Sequence, residues 1–500
     1  MFPQSVRFFA ALIALSALLA AAPVQASPVL EVDGSRVTRA DDPFVPGGLA
    51  SDLGREPRTP RLTASGAGIV GKRGPKAVGA SLRRARRKGA ISRARLAAYR
   101  RIYSLARSRH RRLRGARRRE LGSVIETVGS MALRRELTAS RMPALFLILR
   151  RNAEFWPRSA FPANRGFVTF SGSELVFEYY RGSGLQLQPL LNFKKANLLH
   201  GACVKRTAPC EPDRLRRLLG EMVRTSASRG GFRAWEYYFE FGGGRPPWMS
   251  AMAQATGIQA FARASQLLRD EGLLRYAREG LPAFTTPAPT GILTRGPLGG
   301  THYLQYSFAP RLYIINAFLQ SVIGLYDYAD ITGDATARRL FERAEPEARG
   351  ELLRNDTGDW STYSFGGADS SREYHELLRE FAASLCSRLR RDAYCDTARN
   401  FASYTTEPAK LILLGPDVAT RGKPEAVRFS VSKLAAVQIT IRRAGKVVFD
   451  RVATFRRGTG SFAFTPRANA TFSVRLAAKE LRTGDGLRTY DTGTIEAETP

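Results

Sequence analysis

The stretch 303–327 reads YLQYSFAPRLYIINAFLQSVIGLYD. Its first half is aromatic and interrupted by Pro310, so a turn is expected there. From Tyr313 onward the apolar residues, Tyr313, Phe318 and Leu319 among them, recur at helical spacing. That pattern predicts a helix near 310–330 with a core-facing side. Amphipathic patterns of the same kind lie near 211–228, 249–269, 335–353 and 371–390, so helices are expected to dominate about 190–405. Residues 166–182 and 232–241 read instead as extended. Val168, Phe170, Leu175 and Phe177 are apolar, and the pairs Tyr179-Tyr180 and Tyr237-Tyr238 close the two segments.

Near Glu407 the texture changes. Short, often alternating apolar runs at 411–414, 427–431, 437–441, 447–449, 462–464 and 472–476 are separated by Gly, Pro, Asn and Thr turns. They predict a small antiparallel β-sandwich of immunoglobulin-like type over 406–500, serving to dock or position the rest of the chain. Upstream, Leu96, Tyr99, Tyr103, Ala106, His110 and Leu113 recur three and four apart from Ser92, predicting a helix on an Arg-covered background. Leu121, Val124, Ile125 and Val128 mark a second helix, and 145–149 a third, with Thr138 or Ser140 as its cap. Residues 27–80, rich in Gly, Pro and charge, are expected to form a flexible linker. Within them Gly66 to Lys72 matches G-x-x-x-x-G-K. Arg73 stands where Ser or Thr is required, no strand precedes it, and Gly74-Pro75 is expected to break the helix, so a phosphate-binding loop is rejected.

The chain has 500 residues, enough for about three domains. Lys and Arg number 78 against 44 Asp and Glu, a net charge of +34. Residues 71–120 carry 20 of those cations and a single acid, Glu120. Arg outnumbers Lys 67 to 11, and a guanidinium grips carboxylate or sulfate in a bidentate way that an ammonium does not. The charge predicts an anionic partner; the basic helical segment 81–160 reads either as a solvated face or as a docking surface for an acidic polymer.

At the N-terminus, Arg7 is followed by an apolar run, 8–22, and then by Pro23-Val24-Gln25-Ala26. This reads as a secretory signal, 1–26, cleaved after Ala26. Export to the medium or cell envelope argues against nucleic acid as the partner. No other apolar run approaches the ~20 residues of a membrane span. Export also makes the four cysteines disulfide candidates, most simply Cys203 with Cys210 and Cys386 with Cys395. A zinc site from His200, Cys203 and Cys210 is the alternative.

H-E-x-x-H and G-x-S-x-G motifs are absent, so the chemistry is sought in the aromatic strings of the middle region. Tyr363, Tyr374 and His375, two phenols and an imidazole around the bend Gly366-Gly367, concentrate more titratable groups than a core requires.

These strings resemble the C-terminal catalytic region of the D-glucuronyl C5-epimerases. The run from Pro247 through Trp248, Met249, Ser250, Ala251, Met252 and Ala253 to Gln254 is similar to the family's P-G-W-x-S-A-M-A-Q. Tyr306, Pro310, Tyr313, Asn316, Phe318 and then Ser321 to Asp327 resemble its Y-x-x-x-P-x-x-Y-x-x-N-x-F-x-x-S-L-I-G-L-Y-D. Asp356-Thr357-Gly358 with Tyr363, followed by Tyr374-His375, resembles its D-T-G…Y and Y-H elements. The resemblance implies a mainly α fold, an incomplete (α/α) toroid with some β-structure over 161–405. It also implies conversion of glucuronate to iduronate in an anionic uronic-acid polysaccharide, without metal or organic cofactor.

That reaction removes the C5 proton of a uronate and returns one to the opposite face. A base and an acid must flank the ring, and cationic or hydrogen-bonding groups must meet the charge on the carboxylate. A phenol serves only if nearby positive charge lowers its pKa from ~10. By family position Tyr306, Tyr363 and Tyr374 are expected to transfer protons or line the cleft, with His375 orienting. Tyr180, Glu236, Tyr238, Trp248 and Gln254 are candidates for sugar contact, and Arg311 or Arg372 for gripping a carboxylate. Two positions depart from the animal enzymes: Gln305 stands where they have Glu before the Tyr, and Gly366 where they have Arg. Either Tyr and His act alone, or Glu236 or Glu178 supplies the missing carboxylate. A polysaccharide lyase sharing the same first step, or a non-catalytic glycan-binding envelope protein, are the alternatives.

Overall fold

The computed structural model describes residues 27–47, 67–206 and 208–499. The expected signal segment, 1–26, lies outside the described residues. The expected linker 27–80 is corrected at its two ends; residues 48–66 lie outside the described residues. Its start is a hairpin of β1 (Ser27–Asp33) and β2 (Arg36–Asp42), and its end lies in helix α1 (Ala67–Arg87). In β1 Ser27 and Val29 turn inward two residues apart and Val32 three residues further on, a pattern too short and irregular to stand out among the surrounding charges. The helix runs through Pro75. Proline removes one backbone bond, but Val78, Leu82 and Ala85 bury the following turns, and that packing outweighs the lost bond.

Helix α2 (Arg93–Arg112) begins where expected, with the Ser92 hydroxyl accepting from the Arg95 amide at 3.1 Å. Tyr99, Tyr103 and Ala106 form its buried face, and Tyr99 stacks on Phe146 at 4.5 Å. Helix α3 (Gly115–Leu133) and α4 (Met142–Phe155) follow. Neither Thr138 nor Ser140 caps α4; its N-cap is Arg141, whose side chain is drawn instead toward Glu236. Strands β3 (Phe167–Phe170), β4 (Phe177–Tyr180) and β5 (Gly184–Leu187) complete a five-stranded sheet in the order β2-β1-β3-β4-β5, with β1 parallel to β3.

Helices α5 (Pro189–Lys205) and α6 (Pro212–Thr225) lead to a short hairpin of β6 (Ala227–Arg229) and β7 (Phe232–Ala234). Then come α7 (Ala251–Leu268), α8 (Gly272–Arg278), and a second hairpin of β8 (Leu293–Arg295) and β9 (Thr301–Tyr303). Helices α9 (Ile315–Thr332), α10 (Ala335–Asn355), α11 (Arg372–Leu389) and α12 (Asp392–Thr406) close the helical region. Helix α7 packs between α5 and α9, and α9 also contacts α10 and α11. Glycine permits the close approach: a Cβ on Gly324 of α9 would stand 2.7 Å from the Ala255 carbonyl oxygen of α7. Two disulfides, Cys203–Cys210 and Cys386–Cys395, staple α5 to the entry of α6 and α11 to α12. Bonding between Cys203 and Cys210 removes the thiolates that the zinc alternative required.

Beyond residue 410 the chain is all strand: β10 (Leu411–Gly415), β11 (Val418–Thr420), β12 (Glu425–Val431), β13 (Ala435–Arg443), β14 (Lys446–Phe455), β15 (Gly458–Phe464), β16 (Ala470–Glu480) and β17 (Arg488–Glu498). They form two sheets, β10-β12-β15 and β11-β17-β16-β13-β14, around a core of their own. Strand β17 escapes the sequence reading because most of its residues are polar; its pairing with β16 orders it. No helix among the described residues is long and apolar enough to cross a membrane.

Candidate active site

The candidate residues fall into three groups. The first is an aromatic wall. An antiparallel bridge pairs Tyr237 with Trp248, and their rings stack at 4.1 Å. Tyr306 lies edge-on to Trp248 at 5.8 Å and against Phe308 at 5.4 Å; Phe241 joins it to Tyr180 at 5.7 and 6.3 Å. The backbone that places Tyr306 is zipped to the entry of α7: the Ala251 amide donates to the Leu304 carbonyl at 2.9 Å and the Ser307 amide to the Met249 carbonyl at 3.0 Å. Gln305 is buried in that seam, where its side-chain oxygen accepts from the Ser250 hydroxyl at 2.8 Å. A carboxylate at this position would have the same donor; glutamine makes the bond without the charge.

Tyr180 donates to Glu178 at 2.9 Å, and Arg165 sits over its ring at 4.6 Å while pairing with Glu178 at 2.6 Å. Burial, reinforced by the Glu178 charge, raises the Tyr180 phenol well above its ordinary value, so it remains protonated.

The second group surrounds Glu236. Arg141 grips its carboxylate through two bonds of 2.7 and 2.8 Å, Arg229 adds one of 2.7 Å, and the Tyr238 hydroxyl one of 3.0 Å. Burial, then the Glu236 charge, also pushes the Tyr238 phenol far up. This network floors a polar cleft of about 370 Å³ lined by Arg141, Ser228, Arg229, Pro247 and Thr290. The guanidiniums are committed as well to the carbonyls of Glu136, Pro289, Thr290 and Pro247. Glu236 is thus an anchor for two arginines, and the sequence reading missed both, since neither lies in the aromatic strings.

The third group is the loop after α10. Tyr363 and Tyr374 meet edge to face at 4.9 Å. Gly358 donates to Asp356 at 2.7 Å, as does the Tyr404 hydroxyl at 3.0 Å, which shapes the Asp356-Thr357-Gly358 turn. Gly366 turns the chain back at φ +65°. This loop is tied to the Tyr306 segment: Ile314 bridges Ser364, and the Phe365 amide donates to the Tyr313 carbonyl at 2.9 Å. It is also clamped from the C-terminal sheets. Arg482 bonds Asp359 and Asp369, the latter at 2.7 Å, and Arg457 donates to the Thr357 carbonyl at 2.8 Å.

Four candidates lie outside these three groups. His375 is fully buried, stacked on Trp360 at 3.9 Å. It donates from Nε2 to the Phe401 carbonyl at 3.0 Å and accepts at Nδ1 from Ser361 at 2.8 Å. Burial lowers its pKa to about 4, so it is neutral at physiological pH, and its role is to hold Trp360 and Ser361. Gln254 bonds the carbonyls of Arg233 and Gly280 at 2.8 and 3.2 Å. Arg372 pairs with Glu376 at 3.0 Å and Asp485 at 3.2 Å across the joint to the C-terminal sheets. Arg311 is exposed on the turn after Pro310.

One buried pair lies behind the site. His302 Nδ1 and Glu351 Oε1 are 2.7 Å apart, and the His302 ring is 5.1 Å from that of Tyr313. Burial drives the histidine down to about 3. Burial and the neighbouring Glu347 drive the glutamate up to about 9. The contact is therefore a neutral hydrogen bond. No group of three or more His, Cys, Asp or Glu among the described residues is arranged to hold a metal ion.

Residues 229–403 match the family described as D-glucuronyl C5-epimerase C-terminus, a span that holds the Trp248, Tyr306, Tyr363 and Tyr374 strings. An uncharacterized protein of Methanocaldococcus jannaschii is 28% identical over 154 residues, covering 30% of this chain and 50% of the relative. The D-glucuronyl C5-epimerase of Caenorhabditis elegans is 33% identical over 105 residues, covering 20% of this chain and 17% of the relative. The chain thus spans half the length of the first relative and about a sixth of the second. Residues 229–403 are thus similar to the C-terminal domain of the D-glucuronyl C5-epimerases.

Proposed function

We propose that this protein is an exported C5-epimerase of a uronic-acid polysaccharide, converting glucuronate to iduronate. The observation that carries the reading is the coupling of two tyrosine-bearing loops inside the family-matched region. The segment starting at Tyr306 ends hydrogen-bonded to the loop that carries Tyr363, whose ring meets Tyr374. The helices α5–α12 are read as the incomplete (α/α) toroid of the family, and the two C-terminal sheets as an immunoglobulin-like sandwich that braces the Tyr363 loop. The domain limits proposed are 161–405 and 406–500. The two disulfides support an oxidising compartment and hence export.

In the proposed mechanism the uronate ring lies between the Tyr306 segment and the Tyr363–Tyr374 pair. One phenolate takes the C5 proton, the electron pair spreads onto the carboxylate, and a phenol on the opposite face returns a proton to C5. Exposed Arg311 meets the carboxylate as charge develops there. Trp248 and Tyr180 shape the wall against which the sugar rests. Tyr180 and Tyr238, held protonated, are donors and not bases. Glu236, consumed by Arg141 and Arg229, does not stand in for the carboxylate missing at Gln305, so the tyrosines carry the proton transfers.

The test is incubation of the chain from Ser27 onward with unsulfated glucuronate polymers in heavy water, followed by proton NMR. Deuterium at C5, intact chains and new iduronate couplings are expected. Unsaturated ends would make the protein a lyase. Binding without any exchange would leave a glycan-binding protein.

A further inference from the structure

Helix α2 carries four arginines in a line. Arg93, Arg100, Arg107 and Arg111 are spaced seven, seven and four residues apart, all exposed. At 100° per residue they fall within an arc of about 40°, and at 1.5 Å per residue they run for about 27 Å. Between residues 71 and 119 there is no acid to neutralise them. The first acid, Glu120, is turned inward: it accepts from the Tyr179 hydroxyl at 2.9 Å and from the amides of Gly182 and Gly184, locking the β4–β5 turn. The helix is fixed in place by other arginines, since Arg109 donates to the Ala153 carbonyl and Arg117 to that of Ser159. The stripe therefore stands apart from the cations that hold the fold.

Beside the stripe lies a cleft of about 200 Å³ between α1, α2 and α3, lined by Tyr103, Arg107, His110, Arg111, Ile125 and Glu126. A phenol, two guanidiniums and an imidazole face it. Its one carboxyl is Glu126, whose pKa is raised by burial and then by Glu240. A linear run of guanidiniums over ~27 Å beside an aromatic, cation-lined notch fits an extended polyanion with sugar faces to stack and acid groups at intervals.

We infer that the α2 stripe and its cleft form a second polysaccharide-binding surface. It grips an anionic stretch of the polymer while another stretch occupies the candidate active site. The inference rests on the proposed function for the identity of the polymer, not for the binding itself. Uronate polysaccharide is favoured over nucleic acid because the two disulfides indicate an oxidising compartment. Two linked contacts on one polymer raise its effective concentration at the catalytic cleft without new contacts there. Long chains therefore gain and short ones do not.

The test compares the chain from Ser27 onward with a variant carrying Arg93→Gln, Arg100→Gln, Arg107→Gln and Arg111→Gln. A matched control carries Arg421→Gln, Arg428→Gln, Arg443→Gln and Lys446→Gln, all exposed on the C-terminal sheets. Circular dichroism first establishes that each variant is folded; an Arg-to-Lys version of the stripe keeps the charge if the Gln version is not. Binding to a long unsulfated glucuronate polymer is titrated across salt concentrations. The stripe variant should bind about tenfold more weakly, with a log–log salt slope shallower by about 3, while the control changes little. C5 exchange on a short oligosaccharide should be unaffected, and KM for the long polymer should rise. Equal losses in stripe and control variants would overturn the inference. So would tighter capture of single-stranded DNA or of anionic phosphatidylglycerol vesicles than of the polymer at the same salt. Stripe-dependent binding without exchange in the unaltered protein would remove the proposed function and leave the docking surface. Exchange without stripe dependence would do the reverse.

Discussion

Glu236→Gln separates a structural carboxylate from a catalytic one. The Glu236 side chain is 0% exposed, and the side chains of Arg141 and Arg229 are each 11% exposed. The carboxylate accepts four bonds of 2.7–3.0 Å from three donors. Glutamine keeps one acceptor oxygen and replaces the other with an amide nitrogen that faces guanidinium donors. Two nearly buried cations then lose their counter-charge, a situation that costs about 3–5 kcal/mol when one partner of a buried pair is removed. At about 1–1.5 °C per kcal/mol for a cooperative unit of this size, a loss of ~3 kcal/mol lowers the thermal midpoint by about 3–5 °C. Differential scanning calorimetry of the variant, run with the C5-exchange assay below the new midpoint, reads both quantities. The expected result is that fall in midpoint with exchange retained at low temperature. A midpoint within about 2 °C of the parent together with abolished exchange would refute the reasoning and make Glu236 the base.

Other perturbations follow from the same structure. Tyr363→Phe and Tyr374→Phe should each lower C5 exchange by about 10²–10⁴-fold with the fold intact by circular dichroism; activity within twofold of the parent would remove that residue from proton transfer. Glu351, raised to about 9 in the fold from an unfolded value of 4.5, holds an extra proton between those limits, so its contribution to stability is full below the lower value and lost as pH rises through the upper. His302, lowered to about 3, opposes this only below about 6.5. Glu351→Gln should accordingly flatten the fall in urea midpoint between pH 7 and 9 (about one carboxyl's worth), and parallel profiles would show that the pair is charged. Gly324→Ala forces a methyl group toward the Ala255 carbonyl and should destabilise by about 1–3 kcal/mol in urea unfolding; an unchanged midpoint would mean that α7 and α9 separate freely. Arg482→Gln, which releases Asp359 and Asp369, should lower exchange more than it lowers the thermal midpoint, because the Tyr363 loop loses its brace; the reverse ordering would make the joint purely structural.

Much of the fold was legible from periodicity. The helices α2, α6, α7, α9, α10 and α11 lie where apolar residues recur three and four apart, and six of the C-terminal strands lie where they alternate, because those periods report which side of an element faces the core. The hairpin 27–42 and strand β17 were illegible because strand pairing, and not their own apolarity, orders them. Helix α1 was hidden by Gly74-Pro75, whose local preference is overridden by the packing of Val78 and Leu82. The sequence also pointed to both disulfides, since short spacing favours local pairing.

For the candidate site, the aromatic strings, the family resemblance of residues 229–403 and the charge of the N-terminal helices were already legible along the chain. Tertiary structure alone decided what each polar group is bonded to. Glu236 and His375 look alike in one dimension, as ionisable groups amid aromatics. In the fold, one is the counter-ion of Arg141, 95 residues away, and the other is a neutral ring between Ser361 and the Phe401 carbonyl. Such partners are distant along the chain, so no local pattern announces them. A titratable side chain is defined chemically by its burial and its partners, and both are properties of the packed molecule.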